Sequence, residues 1–491
     1  MDFTSLVFLF IFLPVFLTVY LTARQSTARL AVIFIFSIVF ILAGTQPAAT
    51  LFWLAMISTA TYAAGHFIEK DVERNTIGKR TAWLGLIAIV STLFFFKTIS
   101  SGYGDGKLGL LFCGSLSRFF LCSTETQKII IPLGVSYITF QSISYVIDVY
   151  RKQVTHEKNF IKFFSYMLYF PKLVSGPITS YKNINNQLEQ LKPSSDDTAA
   201  GIRRIFSGVI KRILIANQAG IVANAVFGLP VSGITPAFAW LGLLAYTVQI
   251  YFDFSGYTDI AIGLARTMGI TLPENFNYPY LAQSISDFWR RWHMTLSAWF
   301  REYVFFPLER RRAKFPGRQL NILIVFILTG LWHGFNPTFI VWGLIHGVFI
   351  VFESSTGAAW LNQIYRPLRH IYTLTIVLTG WIFFRSPDIG FAFGFIGRLF
   401  GSTSGYSPAP FSLTTPLPII EPSFLLAATI GIIFSTQLPT VFKTLKEKLT
   451  VRPAAFISFQ TAEDVLLLLF FVLAIASQMA GSLKTNIYAA F

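Results

Sequence analysis

The sequence predicts an all-α integral membrane protein with about eleven spanning helices and additional re-entrant or interfacial ones. Three observations carry that expectation. Of the 491 residues, 54% are hydrophobic and 13% charged, and the mean hydropathy is +0.59, which leaves too little polar surface for a soluble globular enzyme. Several apolar runs approach the roughly 20 residues needed to cross a bilayer core of about 30 Å. The basic residues fall in short loops between those runs, as the positive-inside bias requires. That distribution also accounts for the net charge of +16, from 39 Lys and Arg against 23 Asp and Glu, without a nucleic-acid partner.

The first run, Leu6 to Tyr20, has no basic residue before it and no small-residue cleavage site after it, so it is expected to be a spanning helix rather than a signal peptide. The second runs from Ala31 to Ala43. Placing Arg24 and Arg29 in the cytoplasm puts Met1 outside, and the basic loop Lys70, Arg74, Lys79, Arg80 returns to the cytoplasm two crossings later. After Lys97 the stretch from Ser100 to about Gln127 is external. A helix from Ile129 to Val149 then recrosses, and Arg151, Lys152 and Lys158 mark the next cytoplasmic loop. Cys113 and Cys122, the two cysteines of the chain, share the external stretch, where a disulfide is permitted; two unpaired thiols in an apolar interfacial segment are the other reading.

From about Phe160 to Ile350 the apolar runs are interrupted by Gly, Pro, charges and clustered aromatics, as in FPKLVSGPITSYKN. Broken helices are expected there, around a cavity that satisfies the freed backbone groups. Spanning helices resume around Thr373 to Phe384, Phe424 to Phe434 and Val465 to Ala480. The Pro-rich SPAPFSLTTPLPIIEP lacks Lys and Arg and faces outside, whereas Lys443, Lys446, Lys448 and Arg452 face the cytoplasm. The chain reads as one integral membrane domain in three parts, 1–128, 129–350 and 351–491.

Chemistry is concentrated in the middle part. The segment Tyr251 to Gly269 carries Asp253 and Asp259 in an otherwise apolar run. Carboxylates at membrane depth are expensive and default to function, but capping a broken helix or pairing with Arg266 would also hold them. The segment Phe288 to Leu308 interrupts aromatic positions at helical spacing with Arg290, Arg291, His293, Arg301 and Glu302, as an amphipathic interfacial helix does. The run ERRRAKFPGR follows, and Arg310, Arg311 and Arg312 offer a landing site for an acidic carrier protein or a phosphate-rich donor; anionic lipid accounts for the same charge. The sharpest signal is LTGLWHGFNPTFIVWGLIHG, where His333 sits between Trp332 and Gly334. A neutral imidazole can accept a proton and return it, as acyl transfer to a hydroxyl requires, although a lone histidine can equally serve packing. The six His and two Cys show no metal-ligand spacing, so no metal is expected.

In order along the chain, FDFSGYTDIAIGLARTMG, ENFNYPYLAQSISDFWRRWHMTLSAWFREY and LTGLWHG resemble the membrane-bound O-acyltransferase family. PLGVSYITFQSISYVIDVYR and YFPKLVSGPITSYKN narrow the resemblance to its bacterial alginate O-acetylation branch, beside which stand peptidoglycan O-acetylation and teichoic acid D-alanylation proteins. After FFPL, where that branch usually turns through Gly-Gly-Asn, this chain has ERRRAKFPGR. The resemblance implies a ring of tilted helices around a central tunnel, with His333 matching the catalytic histidine. It implies supporting or tunnel-lining roles for His293, Trp332, Asp253, Asp259, Asn275, Arg290 and Arg291.

It further implies an enzyme of the bacterial inner membrane with no bound cofactor. Acetyl-CoA or an acylated carrier is the thioester donor at the cytoplasmic face, and a glycan or an extracytoplasmic acetyltransferase partner is the acceptor. The competing class is a polytopic transporter or flippase of a glycan precursor; against it stands the lack of paired broken helices in symmetrical halves.

Overall fold

The structure is a computed structural model that describes residues 1–44, 47–73, 78–98, 121–122, 129–130, 132–310, 317–355, 357–402, 421–451 and 453–481. The described residues divide into two compact units, one of Met1–Ile205 with Tyr257–Pro273, the other of Phe206–Gly256 with the described residues from Glu274 onward. Among the described residues, five helices are long and apolar enough to cross a membrane: Ala48–Asp71, Arg80–Thr98, Ser195–Phe227, Pro236–Thr267 and Pro453–Met479. Shorter apolar helices add Phe8–Thr22, Ser26–Leu42, Pro337–Glu353, Ile389–Leu399 and Pro422–Phe434. The last long helix shows the lipid-facing pattern most openly, with Val465, Leu466, Leu468, Leu469 and Val472 all exposed.

In the first unit the opening run is a π turn, Phe8–Phe12, continued by the α-helix Leu13–Thr22. Its aromatic face meets Phe170 of the FPKL turn, with ring centroids 5.4 Å from Phe12 and 5.2 Å from Phe16. The expected helix from Ile129 starts later, at Val135, and ends at Tyr150. Ile129–Ile130 instead pairs antiparallel with Leu121–Cys122, and Gly134, at φ +85°, turns the chain into the helix. Cys113, and with it any Cys113–Cys122 bridge, lies outside the described residues.

A polar cluster follows the helix Val135–Tyr150. Lys162 Nζ lies 2.9 Å from Glu157 Oε2 and 2.5 Å from Glu189 Oε1, the Tyr181 hydroxyl donates to Glu157, and Glu69 accepts from the His156 N–H at 2.9 Å. Burial pushes the Glu157 carboxyl up, but hydrogen bonds from Tyr181, the Asn159 N–H and Lys162 outweigh it and hold the group below its ordinary value.

The segment holding Asp253 and Asp259 is not a broken helix. It belongs to one continuous helix, Pro236–Thr267, because each carboxylate has a basic partner and caps nothing. In the first unit, Asp259 Oδ1 accepts from Arg204 Nε at 2.7 Å, and Arg266, the partner considered above, reaches Asp197 at 3.3 Å. In the second unit, Asp253 Oδ1 accepts from Arg212 Nε at 3.0 Å. Arg212 lies in a π turn, Lys211–Ala216. Close backbone approach makes these reaches short: a Cβ on Gly263 would stand 2.6 Å from the Gly201 carbonyl, and one on Gly256 2.8 Å from that of Gly208.

The amphipathic stretch Phe288 to Leu308 is likewise not one helix. It folds as Ile285–Trp289, a turn, Met294–Phe300, a π turn Arg301–Phe305 and Phe306–Arg310. His293 sits in that first turn at φ +44°, a left-handed conformation that no uninterrupted helix accommodates.

Candidate active site

The second unit contains a tight helical hairpin, Gly317–His333 and Pro337–Glu353. Its turn, GFNP, is built from local chemistry. Asn336 caps the second helix by accepting from the Thr338 N–H at 3.1 Å, Pro337 opens that helix with a preset φ, and Asn336 Nδ2 donates to the Pro387 carbonyl at 2.7 Å. Gly330 and Gly343 let the two backbones touch: a Cβ on either would strike the carbonyl of Phe339 or Phe326. His333 is thereby fixed as the last residue of the first helix.

The His333 imidazole is buried in an aromatic box. Trp332 lies 4.6 Å away, Phe384 of the helix Arg366–Arg385 4.9 Å, and Trp342 5.2 Å with its ring perpendicular. Such a box excludes bulk water from the imidazole, which strengthens every electrostatic contact made there.

His293 approaches the same tryptophan, its ring centroid 6.4 Å from Trp332. The chain from Asn275 to Asn277 pairs with Arg291 to Met294 through two backbone hydrogen bonds, Asn277 N to Arg291 O at 2.9 Å and Met294 N to Asn275 O at 3.0 Å. Asn275 Oδ1 then accepts from the Thr295 N–H at 3.2 Å and the Thr295 hydroxyl at 3.0 Å, and lies 3.1 Å from His293 Nδ1. A backbone N–H can only donate, so that atom of Asn275 is an acceptor and His293 Nδ1 carries the proton. His293 lies outside the spanning helices, and burial pushes its imidazole down to about 3. The ring is therefore neutral, with Nε2 as its basic nitrogen.

The structure thus brings His333, Trp332, His293 and Asn275 together, and it leaves the arginines of the RRWH run elsewhere. Arg291 bonds Asp287 at 3.0 Å and Arg290 lies 3.9 Å from the same carboxylate, its side chain largely exposed. Asp253 adjoins the site through Phe254, which packs on His293 at 4.7 Å, while its own carboxylate faces Arg212. Asp259 lies in the first unit. Arg310 ends the helix Phe306–Arg310, and Arg311 and Arg312 fall outside the described residues. Among the described residues no group of three or more His, Cys, Asp or Glu is placed to hold a metal.

Sequence reasoning passed over Thr295, Trp342, Phe384 and the two arginines facing Asp253 and Asp259. It also passed over His346, which WGLIHG places in the same apolar hairpin as His333.

The described residues thus combine helices long and apolar enough to cross a membrane with two buried histidines that lie beside one indole. Residues 151–384 match the sequence model of MBOAT, the membrane-bound O-acyltransferase family. The probable alginate O-acetylase AlgI of Pseudomonas aeruginosa is 36% identical over 400 residues, 82% of this chain and 75% of that one. The peptidoglycan O-acetyltransferase of Helicobacter pylori is 34% identical over 340 residues, 62% of each chain, and the teichoic acid D-alanyltransferase of Bacillus subtilis 31% over 299 residues, 54% and 74%. The chain belongs to the membrane-bound O-acyltransferase family: it is a multi-pass membrane acyltransferase of the alginate O-acetylase branch.

Proposed function

We propose that this protein moves acetyl from a cytoplasmic thioester, acetyl-CoA or an acylated carrier, toward an extracytoplasmic polysaccharide, with His333 as the general base. The observation that carries the reading is the pair of buried histidines that both lie beside Trp332, in a chain whose alginate O-acetylase relative matches over 82% of its length. His333 takes the proton of the acceptor hydroxyl. The oxygen attacks the acyl carbonyl, the C–S bond breaks, and the imidazolium returns its proton to the departing thiolate, giving one ester and one thiol. His293 supports this centre as a neutral imidazole of fixed tautomer.

The acceptor hydroxyl belongs to an alginate-like exopolysaccharide or to an extracytoplasmic acetyltransferase partner that completes the transfer. The protein resides in the bacterial inner membrane with its N-terminus outside, and Arg310, Arg311 and Arg312 face the donor. Peptidoglycan O-acetylation and D-alanylation of teichoic acid are the alternatives that the other relatives support.

The test is thioester consumption by purified protein in lipid nanodiscs supplied with an acceptor polysaccharide, with labelled acetyl-CoA and labelled acetyl carrier in separate assays. Release of free thiol by wild type, and not by His333→Ala, is the expected result. Equal release by both removes His333 from the mechanism, and binding without release favours a transporter.

A further inference from the structure

Glu353 closes the second helix of the His333 hairpin and is buried. Its two oxygens reach another segment of the same unit: Oε1 accepts from the Ile285 N–H at 2.6 Å and Oε2 from the Ser286 N–H at 2.8 Å. These are the first two amides of the helix Ile285–Trp289, which its own turns cannot satisfy. Ser284 already caps that helix locally, accepting from the Asp287 N–H at 2.9 Å. What the carboxylate adds is a tie to a residue 68 positions away. The Tyr372 hydroxyl, donating to Glu353 Oε1 at 3.3 Å, holds the carboxylate from the helix Arg366–Arg385.

From Ile285 the chain runs along the hairpin, opposite in direction to the helix Pro337–Glu353. Ile285 meets Glu353, the Trp289 ring lies 5.3 Å from His346 and 5.8 Å from Trp342, and His293 lies 6.4 Å from Trp332, which adjoins His333. The middle contacts are between buried rings. Burial of apolar surface is non-directional, so it holds the segment against the hairpin without fixing how far along it sits. Two hydrogen bonds from successive amides to one carboxylate are directional and fix that position. At the other end His293 is bonded to Asn275, which is not part of the hairpin. Glu353 therefore ties the segment that carries His293 directly to the hairpin that carries His333.

We propose that Glu353 sets the register of the segment Ser284–His293 along the hairpin, and so places His293 beside Trp332 and His333 for acyl transfer. It is a positioning residue, acting through His293 without touching the reacting atoms. The proposal rests on the reading of His333 and His293 given above.

The test measures kcat and KM for thioester consumption and peptide-level hydrogen exchange in the full-length purified protein. Glu353→Gln keeps one acceptor oxygen; Glu353→Met keeps the length and neither oxygen. The register role requires Glu353→Met to lose on the order of tenfold in kcat at nearly constant KM, and Glu353→Gln to lose less. In a His293→Ala background Glu353→Met is then expected to cost less than about twofold, since the residue it displaces is gone. The same factor in both backgrounds, or no loss in the first, overturns the proposal and makes Glu353 a residue of general stability. If wild type consumes no thioester, or His333→Ala or His293→Ala equals it, the acyl-transfer reading fails. Hydrogen exchange in Glu353→Gln then decides the register, and it does so as well if Glu353→Met does not fold. Faster exchange confined to the peptides covering residues 285–293 supports it, and exchange unchanged there or raised throughout the chain overturns it.

Discussion

His293 Nδ1 lies 3.1 Å from Asn275 Oδ1, and because that oxygen also accepts from the Thr295 backbone N–H, the bond fixes which nitrogen of His293 holds its proton. The left-handed backbone at His293 places the ring for this contact. A strained conformation held by converging hydrogen bonds is a common feature of functional sites.

The acceptor at position 275 is therefore the group to alter. Asn275→Asp keeps an oxygen facing Nδ1 and is expected to retain most activity, whereas Asn275→Leu is expected to lower kcat by about tenfold or more at unchanged membrane abundance. Thioester consumption by matched preparations checks this, and equal activity of the two variants removes the tautomer argument.

Arg212 and Asp253 form an ion pair with side-chain exposures of 4% and 2%. Removing one partner strands a buried charge, so Arg212→Met is expected to destabilise by about 3–5 kcal/mol, and the double change Arg212→Met with Asp253→Leu to recover most of that loss. Melting temperatures across the four-member cycle measure the coupling. Additive losses mean that the pair is energetically idle.

Gly263 admits no side chain without movement, since its Cβ would meet the Gly201 carbonyl at 2.6 Å. Gly263→Ala is expected to lower stability by about 1–3 kcal/mol through overpacking. An unchanged melting temperature means that the helices separate at little cost.

Glu157 is held below its ordinary pKa by Tyr181, Asn159 and Lys162 against the opposing effect of burial. A depressed carboxylate contributes stability that is complete above the unfolded pKa of about 4.3 and disappears as pH falls through the lower folded value. The melting-temperature gap between wild type and Glu157→Gln is expected to be constant above about pH 5 and to close below about pH 4. A gap that widens on acidification contradicts the assignment.

Much of the architecture was legible because lipid imposes simple rules. The apolar runs at Ala31 to Ala43 and Val465 to Ala480 fall, each but for its last residue, within the helices Ser26–Leu42 and Pro453–Met479. What misled was charge read locally. Asp253 and Asp259 read as candidates for function, for helix capping or for pairing with Arg266, because their actual partners, Arg212 and Arg204, lie 41 and 55 positions away. Helical spacing in Phe288 to Leu308 concealed the turn at His293, which is set by backbone bonds to Asn275 and Asn277 rather than by its neighbours. His333 stood out as a histidine in an apolar run. The same reasoning applied equally to His346, whose unpartnered nitrogens only three-dimensional packing reveals.

The most direct measurement is the acyl content of surface glycan in cells lacking the protein, complemented with wild type or with His333→Ala at equal membrane abundance. The account requires wild type to restore acylation and His333→Ala to leave it at the level of the deletion. Full restoration by His333→Ala contradicts it.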